Sequence, residues 1–350
     1  MTAPAPGHQA RTPPLIPQVL EEYGALTRKA MQSYLPSGSP RGYFYDLIAD
    51  YPLRGGKMMR SSLCIATARV FGARIEQAVC TAAAIELLHN ALLVHDDIQD
   101  DSEERRGRPT LHAQHGLPLA LNAGDALCLL SMRPLMDNAL LIGPRHAARI
   151  FEEADRMAWE SAEGQAMELG WCRDNCNGLT DEDYLVMVLK KTCWLAIIFP
   201  SRAGAIIGAH DGIDLDQFIR FGFFLGASFQ IQDDLLNFVA DSRYGKELHG
   251  DIWEGKRTLM LNHVYRQATP EERGRIAEIL ALPRSRRNAL QVNWIRRLMD
   301  TYGSVEYASK IAHGLAGAAL HEFHSIYGHL PDSRDKRFIE GLSTWVFERT

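Results

Sequence analysis

The chain has 350 residues, 46% of them apolar and 23% charged, with a formal net charge of −5. That size and balance suit a folded protein with a large core and exclude global disorder, and the mild negative charge gives no basic field to attract nucleic acid. Six cysteines scattered over this length, with no apolar leader at the start, fit reduced thiols in a cytoplasm better than a disulfide framework.

Residues 1–14 (MTAPAPGHQARTPP) are rich in proline and small residues, bury too little to offset ordering entropy, and read as a flexible tail. From Leu15 onward apolar residues recur at three-to-four spacing and two-residue alternation is scarce, so residues 15–350 read as one all-α domain, an antiparallel bundle. The pattern predicts helices over 15–34, 57–71, 75–100, 117–138, 145–170, 181–208, 214–239, 256–268, 271–281, 287–301, 304–327 and 335–348. Gly, Pro, Ser and Asn mark the breaks between them; there is no linker and no long repeat.

The first chemical element is LRGGKMMRSSL, where Lys57 and Arg60 stand one turn apart behind a glycine pair, Gly55 and Gly56, that permits close backbone approach to an anion. Next comes LLVHDDIQD. On a helix, Asp96, Asp97 and Asp100 span an arc of about 100° and can share a face. Leu92, Leu93 and Val94 place them beside a core, where an uncompensated carboxylate would neutralise and a hard cation such as magnesium would keep it ionised. Alone, such a cluster is more often a solvated surface. The sequel SEERRGRPTLH puts Arg105 and Arg106 in a loop beside it, and guanidinium forks match phosphate oxygens. Magnesium commonly joins one or two carboxylates to substrate phosphates, so acid beside base points to a metal–diphosphate site.

Further along, Cys172 and Cys176 lack the spacing and second pair of a zinc knuckle. VLKKTCW supplies Lys191 and Thr192. The apolar run from Trp194 to Ile207 is interrupted by Pro200, Ser201 and Arg202 and reads as buried helix, leaving no transmembrane segment. FQIQDDLLNF then brings Gln230, Asp233 and Asp234, and YGKELHGDIWEGKRTL brings Lys246 and Lys256. Any one of these lysines suits a solvated surface; their company with two acidic clusters carries the reading.

Together these motifs resemble those of the trans-isoprenyl diphosphate synthases, most of all those making geranylgeranyl diphosphate, over about residues 40–260. GGKMMR is similar to the family's GGKxxR element, DDIQDDSEERRGRPT to its first aspartate-rich motif, KT to its allylic clamp and FQIQDD to its second aspartate-rich motif. The resemblance implies a helical bundle around a deep central cavity, usually a homodimer, holding three magnesium ions between two acidic helices. It implies that Asp96, Asp100 and Asp233 ligate magnesium, supported by Asp97 and Asp234. Arg105, Lys191, Thr192, Gln230, Lys246 and Lys256 would hold the allylic diphosphate, and Gly56, Lys57, Arg60, His89 and Arg106 isopentenyl diphosphate. Two positions depart from the pattern. Asn237 closes the second motif where aspartate is common, removing a charge but leaving a carbonyl ligand, and GGKMMRSS lacks the usual inner arginine and following proline.

The chemistry implied is magnesium-assisted ionisation of an allylic diphosphate, alkene attack and proton loss. Ala91 and Leu92, about 6–7 Å before Asp96 along the helix, sit where a chain-length floor would lie; the small Ala91 leaves room for a twenty-carbon product. A terpene cyclase could use a related metal cluster but needs no isopentenyl pocket, and a non-catalytic regulatory subunit would not need an intact first aspartate motif.

Overall fold

Helix follows helix along nearly the whole of the protein, whose computed structural model describes residues 14–239 and 249–348. The first stretch comprises α1 (Leu15–Tyr34), a π-wound turn (Arg41–Tyr45) running into α2 (Asp46–Leu53), α3 (Met59–Val70) and α4 (Ile75–Gln99). A short hairpin, β1 (Glu104–Arg105) with β2 (Arg108–Pro109), leads to α5 (Leu111–His115), α6 (Leu117–Ile142) and α7 (Pro144–Arg173). Then come α8 (Asp181–Val188), a π-wound segment (Leu189–Ile198), α9 (Phe199–Ala209) and α10 (Gln217–Val239). The remainder is α11 (Gly250–Glu254), α12 (Leu259–Gln267), α13 (Pro270–Leu280), α14 (Ala289–Thr301), α15 (Ser304–Tyr327) and α16 (Arg334–Glu348).

Local chemistry sets several of these starts. Thr180, Thr269 and Asn288 each accept a backbone N–H three residues on, and the acid or amide there bonds back, satisfying donors a helix start leaves open. Pro144 opens α7, where a missing N–H costs nothing.

The larger core gathers α3, α9, α10, α15 and α16, with Phe218, Phe221, Phe323 and Tyr327 packed ring against ring; Phe323 and Tyr327 stack at 5.0 Å. A smaller core lies between α4 and α6, closed by Met31, Leu47 and Tyr51. Helices Ile75–Gln99 and the stretch Asp181–Ala209 are long and apolar enough to cross a membrane, yet 67% and 83% of their apolar windows are buried inside the protein, as core helices are.

The helical expectation holds, and the structure adds what periodicity could not show. Helices α2, α5 and α11 are too short to leave a periodic signal. The run around Pro200 is buried helix, as expected. The proline stands at the join of the π-wound segment and α9, a change of winding where one backbone donor is dispensable, and Arg202 is buried because Glu153 takes its guanidinium at 2.6 and 2.7 Å. The tail expected at 1–14 lies, save Pro14, outside the described residues.

Candidate active site

The first acidic wall is the end of α4. Asp96 is half-buried there, and Asp100 caps the helix. Asp97 is the buried edge of this group: it is fully buried, takes the Tyr51 hydroxyl at 2.5 Å from α2, and accepts Arg105 Nε at 2.9 Å. The same guanidinium reaches Asp96 as well, so the two neighbours share a cation while only Asp97 is turned inward to Tyr51.

Around Asp96 and Asp100 stand cations from distant parts of the chain. Lys191 Nζ lies 3.3 Å from Asp96 Oδ1 and also pairs closely with Glu168 of α7. Lys256 Nζ lies 2.7 Å from both Asp100 Oδ2 and Glu254 Oε2. Arg105 Nη2 is 3.5 Å from Asp96 Oδ2. Burial alone would push the Asp96 carboxyl up, but Lys191, Lys256 and Arg105 outweigh it and hold it well below the usual range. Asp100 goes the other way, pushed up to about 7 by burial and by the neighbouring charges of Asp96 and Glu254, against the pull of Lys256.

The second wall is α10. Asp234 is buried, takes the Tyr184 hydroxyl and the Gln230 amide, each at 2.8 Å, and is pushed up to about 6 by burial. Asp233 beside it is half-buried. Asn237 is not left as an open ligand. Its side-chain oxygen accepts the Asp251 amide at 3.2 Å and its backbone carbonyl the His249 amide at 3.3 Å, so it fastens the start of α11 to α10.

Between the walls runs the π-wound segment, and consecutive residues on it reach in opposite directions. Lys191 contacts Asp96, while the Thr192 hydroxyl donates to Gln230 Oε1 at 2.9 Å, three residues before Asp233. The segment fits because its neighbours lack side chains at the contacts. A Cβ on Gly164 of α7 would stand 2.2 Å from the Lys191 nitrogen, and one on Gly226 of α10 2.7 Å from Cys193 Sγ. Wider winding of this kind often sits at functional sites.

Beyond Arg105 the charge turns positive. Arg106 donates to the Gly55 carbonyl, and a Cβ on Gly56 would lie 3.1 Å from Arg106 Nη2. Gly56 also has φ +150°, so both space and backbone demand glycine there. Desolvation, then the charges of Arg60, Arg106 and Arg105, drive the half-buried His89 ring well below its ordinary pKa. Lys57 Nζ lies 5.6 Å from the Trp345 ring centre on α16. Glu86, held by Ser61 at 2.8 Å, is the carboxylate that acts on Arg106. A cluster this basic suits an anion.

Ala91 is fully buried in the smaller core, whereas Leu92 is half-buried against the larger one, so the two chain-length candidates face different layers. Lys246 lies outside the described residues. Sequence reasoning missed Glu168, Tyr51 and Tyr184. Glu168 carried a signal: it continues the buried stripe Met157, Ser161, Gly164 of α7, a charge where an apolar residue belongs.

The donor set fits a hard dication. Asp96, Asp100 and Asp233 offer carboxylate oxygens with no thiolate or imidazole among them, and the present partners of Asp96 and Asp100 are lysines and arginine rather than apolar groups. Among the described residues no three ligands are already gathered round one point, so phosphate oxygens and water would have to complete the shell.

The chain is similar to known proteins over most of its length. The polyprenyl synthetase pattern matches residues 43–299. A short chain isoprenyl diphosphate synthase of Methanothermobacter thermautotrophicus is 34% identical over 263 residues, 74% of this chain and 77% of that one. A geranylgeranyl pyrophosphate synthase of Geoglobus acetivorans is 30% identical over 336 residues, 96% of this chain and 99% of the other. The crystal structure of geranylgeranyl pyrophosphate synthetase from Pyrococcus horikoshii superposes with a TM-score of 0.83 at 31% identity, covering 96% of this chain and 98% of that one.

Proposed function

From the premise that this chain belongs to the polyprenyl synthetase family, we propose that it joins isopentenyl diphosphate to an allylic diphosphate and stops at geranylgeranyl diphosphate. It is a prenyltransferase, and its family uses divalent metal. The observation that carries the reading is the placement of Lys191 and Thr192, adjacent residues that reach opposite acidic helices, with the Arg60, His89 and Arg106 cluster next to Arg105.

In this reading Asp96, Asp100 and Asp233 hold magnesium, three ions in all, which supplies positive charge for a departing diphosphate. Asp97 and Asp234 support them from behind. Arg105, Lys191, Lys246 and Lys256 hold the allylic diphosphate by charge, with Thr192 and Gln230 orienting it. Lys57, Arg60, His89 and Arg106 hold isopentenyl diphosphate, the glycine pair letting Arg106 lie against the backbone. The allylic C–O bond breaks and its electron pair leaves with diphosphate. The alkene pair of isopentenyl diphosphate forms the new C–C bond, and the proton lost from the adjacent carbon goes to the released diphosphate. The protein's share is electrostatic stabilisation and alignment, with no covalent intermediate.

The small side chain of Ala91 on the helix before Asp96 supports a twenty-carbon limit. A second copy of the chain would cover α6 and α7, where Leu129, Met136 and Leu140 share one helical face and are 74%, 69% and 87% exposed, beside Trp159 at 66%. Six free thiols suit a reducing cytoplasm.

Purified protein with magnesium, farnesyl diphosphate and isopentenyl diphosphate should yield geranylgeranyl diphosphate on chromatography. Cyclised hydrocarbon formed without isopentenyl diphosphate would overturn the synthase reading; a product of another length would overturn only the limit.

A further inference from the structure

Glu168 sits on neither aspartate-rich motif, yet it touches the group that joins them. It is buried on α7, and its carboxylate grips the Lys191 ammonium whose other anionic neighbour is Asp96 Oδ1, 3.3 Å away. Its charge also acts on Lys256 from the first wall and on Tyr184 and Asp234 from the second.

Resting on the reading above, we infer that Glu168 is a positioning residue for the allylic diphosphate: it anchors the Lys191 ammonium when Asp96 is engaged elsewhere. A lysine carries a compact charge on a flexible four-carbon stem and stays where a counter-ion holds it. Once Asp96 turns its oxygens to a cation, its hold on Lys191 weakens, and Glu168 keeps the ammonium at the junction of the walls. The Lys191 backbone is already fixed by its contact with Gly164, one turn before Glu168 on the same helix, so α7 sets both ends of this side chain. A misplacement of about 1 Å at such a centre can cost about 100-fold.

The test is steady-state kinetics of Glu168→Gln, which keeps shape and removes charge, with each substrate varied in turn. Expected is a 10–100-fold fall, in order of magnitude, of kcat/KM for the allylic diphosphate, with KM for isopentenyl diphosphate unchanged and a lowered melting temperature because a buried ion pair is broken. Glu168→Asp, which keeps the charge but shortens the reach, should recover part of the loss. Adding Glu168→Gln to Lys191→Ala should cost little more than Lys191→Ala alone, because the two groups act as one. Additive losses, equal losses for both substrates, or wild-type kinetics in Glu168→Gln would each overturn the inference while leaving the synthase reading in place. If Glu168→Gln does not fold, Glu168→Asp decides by the same substrate split. Wild-type protein inactive with both substrates would instead overturn the reading on which this inference stands.

Discussion

The two acidic helices carry nearly the same letters, VHDDIQD and IQDDLLN, and different physics. On α4 the carboxylates are met by full charges: Arg105, Lys191 and Lys256, all brought from outside the helix. On α10 Asp234 is met by neutral dipoles, the Tyr184 hydroxyl and the Gln230 amide, and burial pushes it above the ordinary carboxylate range. An ionised carboxylate circled by mobile cations can exchange them for a metal and a phosphate. One fixed by neutral donors in the interior serves better as a rigid support for its neighbour, Asp233. Pattern alone treats the walls as equivalent half-sites; side-chain partners give them different duties.

That contrast is exposed to experiment. Asp96→Asn should lower elongation by about 100–1,000-fold without unfolding the protein, as loss of a principal electrostatic group does; a variant keeping a tenth of the activity would remove Asp96 from the site. Asp97→Asn strips the main counter-charge from Arg105, and breaking a buried pair costs about 3–5 kcal/mol, so urea unfolding should shift by that order even where Asp96 is intact. Tyr184→Phe deletes one neutral donor from the second wall, and a smaller loss of about 1–3 kcal/mol is expected on the same assay. If it equals the Asp97→Asn effect, the walls do not differ as described.

The smallest effect is a control on α4 itself, at His89. Its folded pKa lies below the unfolded value near 6.5, so the unfolded chain binds more protons as pH falls past that value. Stability from this group is therefore complete above about pH 6.5 and declines below it. Urea midpoints of wild type and His89→Gln, compared between pH 7.5 and 5.5, should show the steeper decline in wild type; parallel curves would mean the ring is not shielded among Arg60, Arg105 and Arg106.

Much of this was legible in the letters. Long helices announce themselves by period, and Asp96, Asp100, Arg105, Lys191 and Lys256, from separate motifs, meet in one charged group. What stayed hidden is what period and composition do not encode. Asp97 looked equivalent to Asp96 because i and i+1 differ by only about 100° on a helix, and only the presence of α2, itself too short to detect, turns it inward to Tyr51. The change to π winding at Leu189–Ile198 left no trace in the apolar pattern, and Asn237 looked like a ligand until its oxygen was found on the Asp251 amide. Glu168 could have been found from its place on the buried stripe of α7.

Gly164 and Gly226 set bare backbone against both flanks of the segment that separates the carboxylate helices. The seat of that segment between α7 and α10 therefore behaves like a gauge block, its thickness fixed by close backbone approach rather than by the packing of variable side chains. Substitutions can accumulate over the outer surfaces while the place from which Lys191 and Thr192 reach out stays constant. One added methyl at either glycine, far smaller than many changes tolerated elsewhere, would throw the whole assembly out of adjustment.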